Sequence, residues 1–301
     1  MPLPTFFAPA SPAWFAHRVG GVRHLGVVDP VGPVAVDCGP HDELGMLAAE
    51  GLGRPQLRGL LRVGTPLPLE DIVFDIPIER PGKLLCLGKN FAAHAREFGA
   101  EVPEEPIFFT KLPDTLLPHG GTVVLPHWLD ERIDHEVELG VVLGFDDPQR
   151  SGRKYVTPEE AAALIAGYTV INDVTARTMQ GLDRGRQQPW LRSKSFDTFG
   201  PIGPWVVPAE TFGPEPDLSI ELHVGDVLRQ SSRTSHMVVH VPEAIAYLSR
   251  HTTLRPGDIL AMGTPEGVGP IAAGDVMTAS IEGIGCLQNR VAREAPPHSG
   301  S

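Results

Sequence analysis

The chain has 301 residues and carries 37 Asp and Glu against 25 Lys and Arg, a formal net charge of −12. This acidic balance, with a pI near 5.4, argues against a nucleic-acid or anionic-membrane surface, because both need clustered basic side chains. An apolar fraction of 42% predicts a globular protein with a sizeable core. The 33 glycines and 31 prolines are spread without a repeat, which favours many short strands joined by turns.

The cysteines Cys38, Cys86 and Cys286 are far apart and show no CxxC spacing. We therefore expect buried thiols in a reducing compartment. The first residues lack a basic segment followed by a continuous apolar run, and no stretch approaches the roughly 18 apolar residues that a membrane-spanning helix needs. These features predict a cytoplasmic protein.

The first 80 residues have the pattern of a small accessory domain. Short apolar segments at Val22–Val28 and residues 34–38 alternate with turn formers and predict strands, and the mixed stretch 41–61 predicts one or two helices. No cluster of catalytic residue types stands out among them. Residues 77–83 contain two prolines and a glycine, which interrupt both helix and central strand and mark a boundary.

A short helix is predicted at residues 91–98, after a buried strand, with Asn90 as its cap. His94 and Glu97 are three residues apart and share one face of this helix. A carboxylate beside an imidazole raises its basicity and orients it, as a general base requires, although an isolated pair of this kind is commonly a solvated surface pair. The acidic, proline-containing segment 101–106 predicts a mobile loop, so the helix could belong to a lid.

Residues 133–143 have the pattern of a buried strand that two carboxylates interrupt. Because side chains alternate along a strand, Glu136 and Glu138 point to one face, and Val137 and Leu139 point to the other. Two like charges side by side are unfavourable, and a buried carboxylate needs a cation or a metal. The motif alone leaves two interpretations open: a divalent-cation site, or an edge strand with one face in water.

Thr157 caps a predicted helix that runs to about residue 165, with a proline first and acids in its first turn. The β-branched segment 167–173 predicts a strand, and Asp173 at its end is either the cap of a second helix or a site residue. The last third predicts a helix near residues 242–251 and strands at residues 205–207, 218–224, 227–231, 238–239, 258–262, 275–281 and 285–291.

Five motifs occur in order along residues 81–290, and together they are far more specific than any one of them. They are Gly-Lys-Asn-Phe at 88–91 with His94, Asp-His-Glu-Val-Glu-Leu-Gly at 134–140, Gly-Tyr-Thr-Val-Ile-Asn-Asp-Val-Thr-Ala-Arg at 167–177 with Gln180, Lys-Ser-Phe-Asp at 194–197, and Gly-Thr-Pro-Glu-Gly-Val-Gly at 263–269. In this order they strongly resemble the fumarylacetoacetate hydrolase family.

The resemblance implies an α+β fold, the mixed β-sandwich roll of that family, preceded by a small N-terminal α/β accessory domain. We expect the accessory domain at residues 1–80, the catalytic domain at residues 81–291 and a disordered tail at residues 292–301. The resemblance also implies a homodimer and a small-molecule keto-acid substrate, and the acidic composition predicts no nucleic-acid or membrane partner.

The resemblance further implies a metal bound by Glu136, Glu138 and Asp173, usually Mg²⁺, with Mn²⁺ or Ca²⁺ in some members. Three carboxylates suit a hard cation, whereas zinc is disfavoured because no Cys or His joins the set by spacing. His135 is expected to face away as a packed residue. Three carboxylates and a dication leave one negative charge, and Lys194 at its family position brings the cluster to about neutral.

By the same resemblance, His94 and Glu97 form a hydrolytic dyad, and Lys194 is a further catalytic residue. Gln180 and Thr264 match positions that contact substrate oxygens. Four basic side chains could bind a dicarboxylate tail, although each is more typical of a solvated surface: Lys89, Lys111, Arg184 and Arg192.

These residues predict a metal-dependent hydrolase that cleaves a C–C bond of an acylpyruvate or fumarylpyruvate-like diketo acid through a metal-stabilised enolate, in aromatic-compound or sugar-acid catabolism. The same enolate would serve a decarboxylase or an isomerase, of the oxaloacetate or 2-hydroxyhepta-2,4-diene-1,7-dioate type, and the fold does not choose among them. A third interpretation is a non-catalytic protein that binds the cation structurally.

Overall fold

The computed structural model describes residues 8–30, 35–40, 53–97, 99, 101, 103–147, 149 and 151–296. No helix in these ranges combines the length and apolar composition needed to cross a membrane. The helices are α1 Arg54–Val63, α2 Ala92–Glu97, α3 Pro158–Ala162, α4 Arg177–Gly185, α5 Leu191–Lys194 and α6 Val241–His251. The strands are β1 Ala13–Val19, β2 Val22–Val28, β3 Ala35–Pro40, β4 Thr65–Leu67, β5 Phe74–Asp75, β6 Leu84–Gly88, β7 Ile107–Lys111, β8 Leu116–Leu117, β9 Thr122–Leu125, β10 Ile133–His135, β11 Val137–Leu143, β12 Ile165–Asn172, β13 Thr175–Ala176, β14 Gly200–Pro208, β15 Ser219–Val224, β16 Val227–Arg233, β17 Ile259–Ala261, β18 Gly269–Pro270, β19 Val276–Ile281 and β20 Gly285–Arg293.

Most strands join one large mixed sheet. Its order is β4-β3-β2-β1-β14-β12-β11-β17-β6-β7, with β5 paired to β1 and β8 paired to β14. The central strands β11 and β12 are antiparallel, with Val137 opposite Asn172 at one end. Both strands are almost entirely buried, which explains why their sequences are nearly continuous in apolar residues.

A five-stranded sheet, ordered β16-β15-β19-β20-β9, packs on one face of the large sheet. Alternate residues of β15 and β19 point inward, and Ile220, Leu222 and Ala279 share one core with Leu139 of β11. A second apolar cluster fills the other face of the large sheet. This sheet-dominated mixture of helices and strands confirms the predicted α+β class.

The N-terminal strands continue the large sheet. β1 pairs with β14 through Trp14 opposite Val206, and α1 packs on β2 and β3. The division into an accessory domain at 1–80 and a catalytic domain at 81–291 stays a prediction. Parts of the predicted N-terminal strand, helices and C-terminal tail lie outside the described residues, namely 34, 41–52 and 297–301.

Some predicted elements differ from the structure. Helix α3 has the predicted Thr157 cap but ends at Ala162, because β12 follows closely. Residues 238–239 form no strand; their backbone N–H groups donate to Asn90, whose side chain ties down this loop instead of capping α2. Strand β20 reaches Arg293 beside β9, so the predicted tail begins two residues too early.

His119 lies in the turn before β9, largely out of contact with solvent. Its Nδ1 accepts the backbone N–H of Gln288 at 3.1 Å, and its ring packs edge-on against Phe74. Burial lowers the pKa of His119 from 6.5 to about 4. The folded protein therefore holds this ring neutral at neutral pH.

We expect the protein to lose stability as the pH falls from 6.5 to about 4, because His119 binds a proton in the unfolded chain before it does in the folded one. The loss is at most about 3 kcal/mol. His119→Gln should flatten the pH dependence of the free energy of unfolding in denaturant titrations. His236→Gln, at an exposed position, should not. An unchanged slope in His119→Gln would contradict the assignment.

Candidate active site

The site is built where the predicted strand 133–143 breaks. Strand pairing changes at Glu136. Before it, β10 pairs with β13 and β18, and after it, β11 belongs to the large sheet. The Glu136 N–H donates to Asn172 Oδ1 at 2.9 Å, and the Asp173 N–H donates to the Glu136 carbonyl at 2.8 Å. The prediction of one continuous strand is therefore wrong. At the break, the side-chain amide of Asn172 accepts the Glu136 N–H in place of a backbone carbonyl of a neighbouring strand.

Three carboxylates converge at this break. Glu136, Glu138 and Asp173 are at most 4% exposed, and one oxygen from each lies within 4.8 Å of the others. Like charges at this distance in a buried place repel strongly, so the cluster needs positive charge nearby. The structure thus brings together the three residues that the resemblance implied as metal ligands.

Three cations contact the carboxylates. Lys194 Nζ donates to Glu136 Oε2 at 2.8 Å and to Asp173 Oδ2 at 2.5 Å. Lys111 Nζ donates to Asp173 Oδ1 at 2.6 Å. Arg177 donates to Glu136 Oε1 through Nη2. Each lysine therefore contacts Asp173, and Glu136 receives one lysine and one arginine.

Sequence reasoning misjudged two of these cations. Lys111 is predicted as a surface charge, yet it is 1% exposed. A signal existed, because Lys111 follows Phe109 by two residues on β7, and strand alternation points both side chains to the same side. Arg177 receives no role from the sequence. Its Nε lies 2.8 Å from Asp134 Oδ2, a pairing that only the fold creates.

The carboxylates differ in how well their charge is compensated. Burial and the neighbouring charges of Asp173 and Glu136 raise the pKa of Glu138 above its usual value. Burial would also raise the pKa of Glu136, but Lys194 and Arg177 outweigh it and hold that pKa low. Burial would lower the pKa of Lys194, but Asp173 and Glu136 raise it. Glu138 is therefore the carboxylate that most needs a further cation.

The glycine-rich turn closes one side of the site. Gly263 has a φ of +90°, which side-chain-bearing residues rarely adopt, and a Cβ there would lie 2.7 Å from Asn90 Cβ. This close approach brings the Gly263 N–H to Glu138 Oε2 at 2.7 Å. Thr264 follows, and its Oγ1 accepts from Gln230 Nε2 at 2.7 Å.

His94 and Glu97 lie on α2. His94 Nδ1 is 3.3 Å from Glu97 Oε2, and Glu97 Oε1 accepts the Gly267 N–H at 3.2 Å. These contacts dock α2 against the glycine-rich turn, and His94 is only 8% exposed. Burial lowers the pKa of His94, although the charge of Glu136 opposes this effect. The neutral ring can therefore accept a proton. Residue 98, the predicted end of this helix, lies outside the described residues.

A cavity of about 230 Å³ joins His94 to the carboxylates. Its apolar lining comes from Leu87, Phe109 and Trp190. Nine of the predicted site residues line the same cavity: His94, Lys194, Gln180, Thr264, Lys89, Arg184, Glu136, Glu138 and Asp173. The arrangement can hold a small anion beside a base and a cluster of metal-binding oxygens.

One of the possible substrate-binding cations lies away from the site. Arg192 does not line this cavity, and its Nη2 pairs with Asp183 Oδ1 at 2.5 Å. His135 is buried, with Nδ1 3.0 Å from Gln230 Oε1, so it packs behind the glutamates as expected. Glu97 supports the site by contacting His94 and is not among the cavity-lining residues.

The fold and site define a class of protein: a sheet-dominated α+β protein with buried carboxylates, a base and basic side chains around one small cavity. The sequence profile described as Fumarylacetoacetate (FAA) hydrolase C-terminal matches residues 83–292. The chain belongs to the fumarylacetoacetate hydrolase family, as the motifs predicted. The homodimer and the cytoplasmic location stay predictions.

Two curated relatives are an uncharacterized protein of Pyrococcus horikoshii, 47% identical over 228 residues that cover 76% of this chain and 94% of that protein, and a mitochondrial oxaloacetate tautomerase of Bos taurus, 39% identical over 232 residues that cover 75% and 71%. A solved 5-carboxymethyl-2-hydroxymuconate delta-isomerase from Mycobacterium smegmatis is 34% identical, with a TM-score of 0.74 and coverage of 94% and 100%. Fumarylpyruvate hydrolase from Pseudomonas aeruginosa, solved with Mn²⁺ and pyruvate, is 36% identical, with a TM-score of 0.65 and coverage of 73% and 91%.

We expect Lys111→Met to lower the free energy of unfolding by about 3 kcal/mol, because it removes one of the two lysines on the buried Asp173. Lys154→Met, at an exposed position, should change it by less than about 0.5 kcal/mol. Urea titrations in chelator-treated buffer give both values. Equal stability of the two variants would mean that Asp173 does not depend on Lys111.

Proposed function

We propose that this protein is a divalent-metal-dependent hydrolase that cleaves a C–C bond of an acylpyruvate or fumarylpyruvate-like diketo acid. The observation that carries the proposal is the His94–Glu97 pair, 3.3 Å apart, with His94 lining the same cavity as the three carboxylates. A carboxylate cluster with a bound cation can stabilise an enolate in hydrolysis, decarboxylation and tautomerisation alike. A buried neutral base beside it adds the water activation that hydrolysis needs.

The donor set fits a hard divalent cation. Glu136, Glu138 and Asp173 each offer an oxygen within 4.8 Å of the others, and burial with like charges raises the pKa of Glu138. Oxygen-only donors suit Mg²⁺ and Mn²⁺ better than Zn²⁺. When bound, such a cation would supply positive charge that polarises substrate carbonyl oxygens. The Pseudomonas aeruginosa relative was solved with Mn²⁺ and pyruvate, which supports this class of metal.

Charge balance supports a doubly negative substrate. The charge balance expected from the sequence included Lys194 as the one cation beside the carboxylates. In the structure, Lys111 and Arg177 add two further positive charges. Arg177 also contacts Asp134. The negative charge of Asp134 is compensated by Arg132 at 2.7 Å, so this pair does not change the balance. Three carboxylates and three cations are neutral together, so a bound dication leaves two positive charges. A dicarboxylate diketo acid supplies the two negative charges that match this surplus at the cluster, and a monoanion supplies one.

His94 is placed to take a proton from water. Its Nδ1 donates to Glu97, so the lone pair of the neutral ring is on Nε2. The Gly267 N–H holds Glu97 in place and so fixes the imidazole. A water oxygen attacks the distal carbonyl carbon of the substrate, and the water proton passes to Nε2.

The C–C bond beside the attacked carbonyl then breaks. Its electron pair stays on the carbon of the pyruvate fragment, the proton from His94 returns to that carbon, and the distal fragment leaves as a carboxylic acid. Lys194 and Lys111 keep positive charge beside the negative charge that develops. Lys89 and Arg184 line the cavity and can receive a distal carboxylate.

A second candidate is tautomerisation of oxaloacetate. The small cavity of about 230 Å³ favours it, as does the 39% identity to the bovine oxaloacetate tautomerase. In that reaction His94 would move one proton between the substrate carbon and oxygen, with no water consumed and no C–C bond broken. A decarboxylase would use the same groups but release CO₂.

Product analysis separates these reactions. The protein is assayed with Mg²⁺ and with Mn²⁺ on fumarylpyruvate, acetylpyruvate and oxaloacetate. Hydrolysis gives pyruvate and a second carboxylic acid, tautomerisation changes the enol absorbance at constant mass, and decarboxylation releases CO₂. We expect pyruvate and fumarate, with fumarylpyruvate cleaved faster than acetylpyruvate because of its second carboxylate. No pyruvate from either diketo acid would reject the hydrolase proposal.

We expect His94→Gln to lower kcat for hydrolysis by at least about 100-fold, because the variant has no group that can take the water proton. Its Mn²⁺ affinity should not change. His223→Gln, a substitution on β15, is the matched control and should keep full activity. An unchanged kcat for hydrolysis in His94→Gln would show that the dyad takes no part in the mechanism.

We expect Glu138→Gln to weaken Mn²⁺ binding by at least about 100-fold, because it removes one of three anionic donors. Stability without metal should not fall, since the substitution also removes like-charge repulsion. Calorimetric titration and urea unfolding measure the two effects. Glu159→Gln, on the exposed side of α3, is the control. Unchanged Mn²⁺ affinity in Glu138→Gln would place the metal elsewhere.

A further inference from the structure

A second group of metal-binding residue types lies on the N-terminal strands. His17 is on β1, His24 on β2 and Asp37 on β3, and one donor atom from each lies within 4.8 Å of the others. None of the three lines the active-site cavity. Because the donors come from three adjacent strands, only the folded sheet brings them together.

The strand register places the three side chains on one face. His17 is directly opposite His24, so both rings leave the same side of the sheet. Asp37 is opposite Gly26, two residues from His24, and the pairing shifts between these two positions. Gly26 admits the ring of Phe15, because a Cβ there would lie 2.2 Å from that ring. The aromatic ring borders the cluster, 5.4 Å from His17 between centroids.

Both imidazoles direct a nitrogen at one carboxylate. His24 Nδ1 lies 2.9 Å from Asp37 Oδ1 and 3.0 Å from Oδ2, and His17 Nε2 lies 3.3 Å from Oδ1. Oδ1 also accepts the Gly39 N–H at 2.9 Å. Donor atoms about 3.3 Å apart form the edge of a tetrahedron whose bonds to zinc are about 2.0–2.1 Å. The His17–Asp37 distance matches this edge, the His24–Asp37 distance of 2.9 Å is slightly shorter, and all three donors lie within 4.8 Å of one another.

The surroundings of His17 suit a metal ligand. The ring is 1% exposed and also hydrogen-bonds the backbone of Leu25, the kind of contact that orients a ligating imidazole. The side chains of His24 and Asp37 are 14% and 22% exposed, which leaves a path from solvent.

We propose that His17, His24 and Asp37 bind one divalent transition-metal cation, with zinc as the best match, and that the ion joins β1, β2 and β3. Two imidazoles and one carboxylate are a common donor set for zinc, with water in the fourth position. The two sites then differ in preference: hard cations bind the carboxylates at the cavity, and softer cations bind here. Binding should stabilise the fold.

The test uses the full chain after chelator treatment, both with the native sequence and with Glu138→Gln to weaken the carboxylate site. Co²⁺ is the probe, because imidazole ligands in a four- or five-coordinate site give visible absorption that an octahedral oxygen site gives only weakly. We expect one Co²⁺ per chain with this absorption in both backgrounds, its displacement by one equivalent of Zn²⁺, and a higher melting temperature with Zn²⁺.

His24→Gln and the isosteric Asp37→Asn should each weaken Zn²⁺ binding by at least about 100-fold and remove the thermal shift. His223→Gln should do neither, and His24→Gln should keep the Mn²⁺-supported activity of the native chain. The native-chain spectrum stands even if a variant fails to fold. Absence of visible Co²⁺ absorption in the native chain, or its persistence in both variants, would overturn the proposal.

Discussion

The site depends on one electrostatic constraint: three carboxylates are held within 4.8 Å of one another in a buried place. Such a group is stable only if positive charge is fixed beside it. Lys194 and Lys111 meet this need at Asp173, and Lys194 and Arg177 meet it at Glu136. Among the described residues, the hydrogen bond to Glu138 comes from the Gly263 N–H at Oε2 and from no cation, which marks Glu138 as the place where a further cation is needed.

The same constraint connects the backbone to the chemistry. The strand is interrupted at Glu136, and the side chain of Asn172 accepts the Glu136 N–H in place of a strand–strand hydrogen bond. This break lets β10 turn away to meet β13 and β18 while β11 stays in the main sheet. In the proposed function, a bound dication would leave a surplus of positive charge for the substrate to match, and the residues that hold the cluster together would then also set the charge of the substrate.

Much of the fold follows from local pattern. Strands β2, β15 and β19 lie close to their predicted positions, because alternation and turn residues are local signals. The predictions at Asn90 and at residues 133–143 were wrong for a shared reason. Both depend on partners far along the chain, Val239 in one case and Asn172 in the other. Local sequence patterns cannot predict contacts between residues that are far apart in the chain.

The sequence by itself determined the family, the α+β class and the three carboxylates, because ordered motifs and residue chemistry are written in the chain. Only the tertiary structure decided which cations compensate them. Lys111, Asp173 and Arg177 belong to separate segments, and their contacts depend on burial and register. The cluster of His17, His24 and Asp37 was invisible in the sequence for the same reason. Its spacing matches no linear motif, and it forms only when three strands pair.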